Sequence, residues 1–160
     1  DGRFRIAFTG NVGQAQGLDI LPETASRLKA DGVPAAFVIV GDGRSKAALE
    51  EQIRQRGVED MFVMIPRQSA ESIPGLLAAC DAAFVSFMNN PLFANTIPAK
   101  LQSYMACGMP ILACATGETE RIVSLSPPRP VRSRTRRTGR AAFFYQNGSQ
   151  NTPLRSFRIH

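Results

Sequence analysis

Three groups of residues in this chain have types and spacings suited to holding an anion. Gly10, Gly13 and Gly17 follow the alternating stretch Arg3 to Thr9. Glycines so placed let the backbone turn tightly and approach a ligand closely, and a helix starting near Gly17 would aim its free N–H groups and positive dipole end into the turn. A diphosphate suits such a turn, although glycines after a strand are also ordinary turn residues. Lys100 is the second feature. It lies just after Ile97-Pro98, in the first turn of an expected helix, where a lysine opposes the helix dipole and gains nothing locally. An anionic ligand gives it a role, against the plainer reading of a solvated surface lysine. The third is Thr116, Gly117, Glu118 and Thr119 after the last apolar run. There Glu118 can reach a polar ligand or simply open a helix.

These groups need a frame, and the apolar pattern predicts one. Strands are expected over Arg3 to Thr9, Ala35 to Val40, Met61 to Ile65, Ala82 to Phe87 and Ile111 to Cys114. Helical spacing joins them: Leu18, Leu21, Ala25 and Leu28 within Gly17 to Lys29, then Ala48, Leu49 and Ile53 within Ser45 to Arg56, then Ala70 to Ala79. The last helix opens at Pro98, carries Leu101, Tyr104 and Met105, and ends at Gly108. Five strands alternating with helices predict an α/β fold, a Rossmann-like, doubly wound parallel sheet with right-handed crossovers. The run Ile111 to Cys114 is expected to be covered on both faces. In open sheets of this kind ligands bind at the carboxyl ends of the strands, where all three groups fall.

Composition bounds the class. The chain has 160 residues, 44% of them hydrophobic, enough for a real core. No apolar run approaches the roughly 20 residues needed to cross a bilayer, so an integral membrane protein is not expected; with its cysteines read as reduced, a cytoplasmic protein, peripheral to the inner membrane at most, is. Asp1 is not a start methionine and no signal-like segment follows, which suggests excision from something longer. Cys80, Cys107 and Cys114 have no CxxC spacing and are read as reduced packing residues. The net charge of +6 is uneven: positions 1–123 hold 11 basic and 13 acidic residues, whereas 124–160 hold eight arginines and no acid. That shift divides the chain into a domain over 1–123 and a basic, Pro/Arg-rich tail over 124–160. The tail is expected to be irregular over 124–140 and partly ordered over 143–158, with its arginines a candidate contact for anionic lipid. The only histidine is His160, so histidine-centred triads and zinc sites lack their central residue, and no metal site is expected. An acidic body without a P-loop or an RNA-binding aromatic motif argues against nucleotide hydrolysis and nucleic-acid partners.

FTGNVGQAQGLDIL, FVIVGDG, the Pro66-Arg67 pair, LLAACDAAFVSF and IPAKLQSYMACGMPILA, in that order, resemble the C-terminal domain of GT-B, family 4 (group 1) glycosyltransferases over about residues 3–123. The similarity is to the branch that builds bacterial capsule, O-antigen and colanic acid. It implies a nucleotide-sugar donor, usually a UDP-sugar, as substrate with no cofactor. It also implies retaining, metal-independent transfer to a cell-envelope polysaccharide or lipid-linked acceptor, with an N-terminal domain absent from this chain supplying the acceptor site. Lys100 and Glu118 are the catalytic candidates. For donor binding the resemblance points to Gly10, Asn11, Gly13, Gln16, Gly41, Gly43, Ile65, Pro66, Arg67, Pro98, Ser103 and Gly117. Gly41 and Gly43 would shape the pocket floor, and the Ile65-Pro66-Arg67 segment would meet the base, with the arginine over it; an exposed loop cation is the plainer reading of Arg67.

Two departures stand out. Relatives often carry an arginine and a lysine in the glycine turn, where this chain has Asn11 and Gln16. They also carry a pair of glutamates, whose positions here are Asn95 and Ser103, so the usual ribose carboxylate is missing and Ser103 is left as a hydroxyl partner. An epimerase half-domain and a binding module without activity remain open at the level of sequence.

Overall fold

The computed structural model describes residues 2–87, 97–115, 119, 121 and 122, and the backbone of 140–142 and 156–158. Apolar residues on both faces of successive strands dictate its centre. Phe4, Ile6 and Phe8 of β1 (Phe4–Thr9) alternate with Arg5, Ala7 and Thr9, and β2 (Ala35–Val40) is buried at all six positions. Such strands require a layer of helices on each side. β3 (Phe62–Ile65), β4 (Ala82–Ser86) and β5 (Ile111–Cys114) complete a five-stranded parallel sheet in the order β3-β2-β1-β4-β5.

One core layer packs Phe4, Ile6, Phe8, Phe37 and Ile39 against Leu21, Ala25 and Leu28 of α1 (Ile20–Ala30) and Leu49 and Ile53 of α2 (Lys46–Gln55). The Phe37 and Phe62 rings stack there, centroids 5.1 Å apart. The opposite layer packs Ala7, Ala83 and Val85 against Leu77 of α3 (Ile73–Ala78) and Leu101 and Tyr104 of α4 (Ala99–Ala106). The order of strands reverses between β1 and β4, and the crevice outside their carboxyl ends is where a doubly wound sheet receives a ligand.

The expected Rossmann-like, doubly wound parallel sheet is the observed fold, with three local differences. The helix expected from Gly17 starts at Ile20, because Gly17 adopts a left-handed φ of 56° and closes a 3-10 turn, Gln14–Gln16, by donating its N–H to the Gln14 carbonyl at 3.0 Å. The helix dipole therefore begins beyond the glycine turn. Pro98 stands just outside α4 in an extended conformation rather than within its first turn. β5 has Ile111 on one core layer and Leu112 and Cys114 on the other, yet all four of its residues are only half-buried, because it is an edge strand among the described residues. Cys107 is exposed at the end of α4, so it is not a packing residue, whereas Cys80 and Cys114 are half-buried.

Thr119, Arg121 and Ile122 are helical, with Thr119 buried. In the tail, Arg140–Ala142 pairs antiparallel with Ser156–Arg158, so the strand begins at the last residue expected to be irregular. The rest of 123–160, including 143–155, lies outside the described residues. No helix among them is long and apolar enough to cross a membrane.

Candidate functional site

The carboxyl end of β1 is pinned by a residue that the sequence pattern marks only as apolar. Tyr104 of α4 is fully buried, and its hydroxyl accepts the Thr9 N–H at 2.8 Å and the Thr9 Oγ1 hydroxyl at 3.1 Å while donating to the Thr9 carbonyl at 3.4 Å. Burial pushes the phenol pKa up, against the smaller lowering effect of the Thr9 hydrogen bonds, so it stays neutral. This contact ties α4 to the last residue before the glycine turn.

Lys100 sits one helical turn before Tyr104, and the tie brings it to that same turn. Its Nζ lies 3.9 Å from the centroid of the Phe8 ring and donates to Gln16 Oε1. A Cβ added at Gly10 would stand 3.9 Å from both Cε and Nζ. Burial drives the Lys100 pKa down from 10.5 to about 8, and among the described residues no carboxylate pairs with it. A largely buried ammonium with a neutral acceptor and an aromatic face, but no counter-charge, attracts anions. Gln16 is held in turn, its carbonyl accepting the hydroxyl of buried Ser86 at the end of β4 and its N–H donating to Gly13 O at 3.0 Å. Gly10, Gln16, Ser86 and Lys100 thus converge at the reversal point of the sheet.

The second glycine pair has a different cause. The Gly10 N–H donates to Val40 O at 2.9 Å and the Val12 N–H to Asp42 O at 2.8 Å, which lays the loop after β1 directly on the loop after β2. A Cβ at Gly41 (φ 151°) would stand 1.8 Å from the Gly10 carbonyl oxygen, and one at Gly43 would stand 2.4 Å from that of Val12. These glycines are required by the contact between the two loops. The Asn11 side chain lies across the same junction, its Nδ2 2.7 Å from where a Gly13 Cβ would be and its Oδ1 2.6 Å from where a Gly43 Cβ would be.

The remaining candidates are dispersed. Ile65 ends β3 half-buried, its carbonyl taken by the Gly41 N–H at 3.0 Å, and Pro66 and Arg67 are exposed beyond it. Pro98 is buried and its carbonyl accepts the Leu101 N–H at 2.9 Å. Ser103 is exposed on α4 and donates to Ala99 O at 3.2 Å, so its hydroxyl is engaged within its own helix. Gly117, Glu118 and Asn95 lie outside the described residues. Sequence reasoning missed Phe8, Thr9, Ser86 and Tyr104. The available signal was a polar residue, Thr9 or Ser86, ending a mostly apolar strand.

A family model for glycosyl transferases group 1 matches residues 1–125. The chain belongs to that family. It is 36% identical over 120 residues to WcaI of Escherichia coli (strain K12), a glycosyl transferase assigned to colanic acid biosynthesis, covering 75% of this chain and 28% of that protein. The group 1 chain spans less than a third of the length of the curated relatives it matches. Among solved structures, the lipopolysaccharide biosynthesis glycosyltransferase WaaG aligns with a TM-score of 0.61 at 16% identity, over 78% of this chain and 32% of that one. The pneumococcal O-GlcNAc transferase GtfA, solved with UDP and GlcNAc, aligns with a TM-score of 0.58 at 13% identity, over 74% and 22% of the two chains. At these identities the likeness is one of fold, and the fold is the Rossmann-like half of GT-B.

Proposed function

We propose that this group 1 chain is the donor half of a glycosyltransferase, holding a UDP-sugar by its diphosphate where β1 and β4 end. The observation that carries this reading is the Lys100 ammonium at the glycine turn, largely buried and without a counter-charge among the described residues. In transfer, the bond from the anomeric carbon to the diphosphate oxygen breaks as an acceptor hydroxyl oxygen bonds to that carbon, and the hydroxyl proton passes to the departing diphosphate. Negative charge then grows on the departing UDP, and a fixed ammonium beside it lowers the barrier. Lys100 supplies that charge in a retaining transfer that uses no metal ion. The acceptor, a cell-envelope polysaccharide or a lipid-linked glycan at the cytoplasmic side of the inner membrane, is presented by a second domain. The arginines of the tail contact anionic lipid there, so liposomes rich in such lipid should retain the full chain better than one ending at Val123.

An NMR titration of the full chain with UDP-, GDP- and dTDP-sugars tests the donor assignment. UDP-sugars should shift the amides around Gly10, Arg67 and Lys100. If no nucleotide moves any of these amides, the donor assignment is wrong. The 160 residues alone should transfer no sugar, since one half cannot hold donor and acceptor in reacting geometry.

A further inference from the structure

Lys100 has a partner whose position is awkward for a simple cation site. The Gln16 side chain donates nothing to it; its Oε1 accepts from Nζ, which puts a neutral oxygen against the ammonium at the glycine turn. The backbone beneath is fixed twice over, by the Ser86 hydroxyl on the Gln16 carbonyl and by the Gln16 N–H on Gly13 O at 3.0 Å. The side chain itself is only half-buried. Gln16 can therefore swing away by side-chain rotation alone, while the turn and Lys100 stay where they are.

We propose that Gln16 sets the affinity of the diphosphate site by ligand exchange: its amide oxygen holds the Lys100 ammonium when no anion is bound, and gives up that place to a diphosphate oxygen when the donor enters. This rests on the donor assignment above. The chemistry of the amide is what makes exchange possible. A buried ammonium with no acceptor would carry its full desolvation cost, and a carboxylate at residue 16 would form an ion pair that competes with the ligand. A neutral amide lies between these, satisfying the ammonium with one charge-assisted hydrogen bond while bringing no opposite charge to compete with an anion. The Phe8 ring 3.9 Å from Nζ keeps the ammonium in place during the exchange, since it has no polar atom to move.

The test compares the full chain with Gln16→Glu and Gln16→Ala, using UDP and inorganic pyrophosphate as separate probes and NMR of the lysine side chain to follow the Lys100 titration. Gln16→Glu should raise the Lys100 pKa above the wild-type value and weaken both probes at least tenfold. Gln16→Ala should lower that pKa and, at a pH where the ammonium stays protonated, bind both probes several-fold tighter, because no internal acceptor has to leave. Unchanged or weaker binding in Gln16→Ala overturns the proposal, since Gln16 would then be a bystander, a direct ligand or a structural prop. An unchanged Lys100 pKa in Gln16→Glu also overturns it, whether or not any nucleotide binds. Should pyrophosphate show the expected contrast while UDP binds no better than pyrophosphate, exchange at Lys100 stands and the nucleotide-sugar assignment falls.

Discussion

Replacing Lys100 by methionine should stabilise the fold and weaken nucleotide binding together. At neutral pH the drop in the Lys100 pKa from 10.5 to about 8 corresponds to roughly 3 kcal/mol against the charged side chain. The hydrogen bond to Gln16 and the contact with the Phe8 ring offset part of this, roughly 1 to 2 kcal/mol between them. Lys100→Met keeps the length and apolar stem of the side chain, so a net gain of about 1 kcal/mol in urea unfolding at pH 7 is expected. The pH dependence follows from the direction of the shift. Between about pH 8 and 10.5 the unfolded lysine still holds its proton while the folded one has released it, so wild-type stability rises across that window and is flat below it. Lys100→Met should lack the rise. UDP affinity moves the other way, with a loss of about 1.5 to 3 kcal/mol, roughly ten- to a hundredfold, on removing a charge-assisted contact. Wild-type affinity, followed by calorimetric titration from pH 7 to 9.5, should decline as the ammonium deprotonates near pH 8, and that of the variant should not. A Lys100→Met protein that is destabilised by 1 kcal/mol or more at pH 7 and binds UDP like wild type would show that the lysine is structural, and the reasoning would be refuted.

The junction of the two glycine loops predicts a contrast between Gly41→Ala and Gly32→Ala. The new Cβ at Gly41 would lie 1.8 Å from the Gly10 carbonyl oxygen, whereas at Gly32 (φ 66°) it meets nothing within 4 Å. Thermal unfolding should therefore show a loss above about 3 kcal/mol for the first and about 1 kcal/mol for the second, and equal losses would contradict the packing of the loops. Tyr104→Phe should cost about 1 to 3 kcal/mol in urea unfolding by leaving the buried Thr9 N–H without its acceptor. It should also loosen the end of β1, seen as faster amide exchange at Thr9 and Gly10; unchanged exchange there would mean that Tyr104 does not anchor the turn.

Residue order alone determined the alternation of strands and helices, because each strand needs apolar side chains on both faces and each helix a stripe on one. The apolar run Ala35 to Val40 reads as a strand covered on both faces, and all six of those residues are buried in β2. The glycine turn and Lys100 were also marked as candidates by residue order, since glycine and an ill-placed cation are local signals and the family motifs surround them. What local pattern could not supply is which residues meet across 84 or 95 positions of chain. Tyr104 repeats at helical spacing like any core residue, and only the packing of α4 on β1 turns its hydroxyl to Thr9 and thereby sets Lys100 over Phe8. Gly41 and Gly43 look like ligand-facing glycines by spacing, yet their need for a bare Cα comes from the neighbouring loop, a contact that exists only once β1 and β2 pair. Gln16 entered the sequence reading only through the family motif, and its contacts with Ser86 and Lys100 exist because the sheet brings β4 and α4 to the same turn. Periodicity reports burial, a property of one residue and its immediate neighbours; a binding site is a set of distances between residues remote in sequence, and those distances are created by tertiary packing.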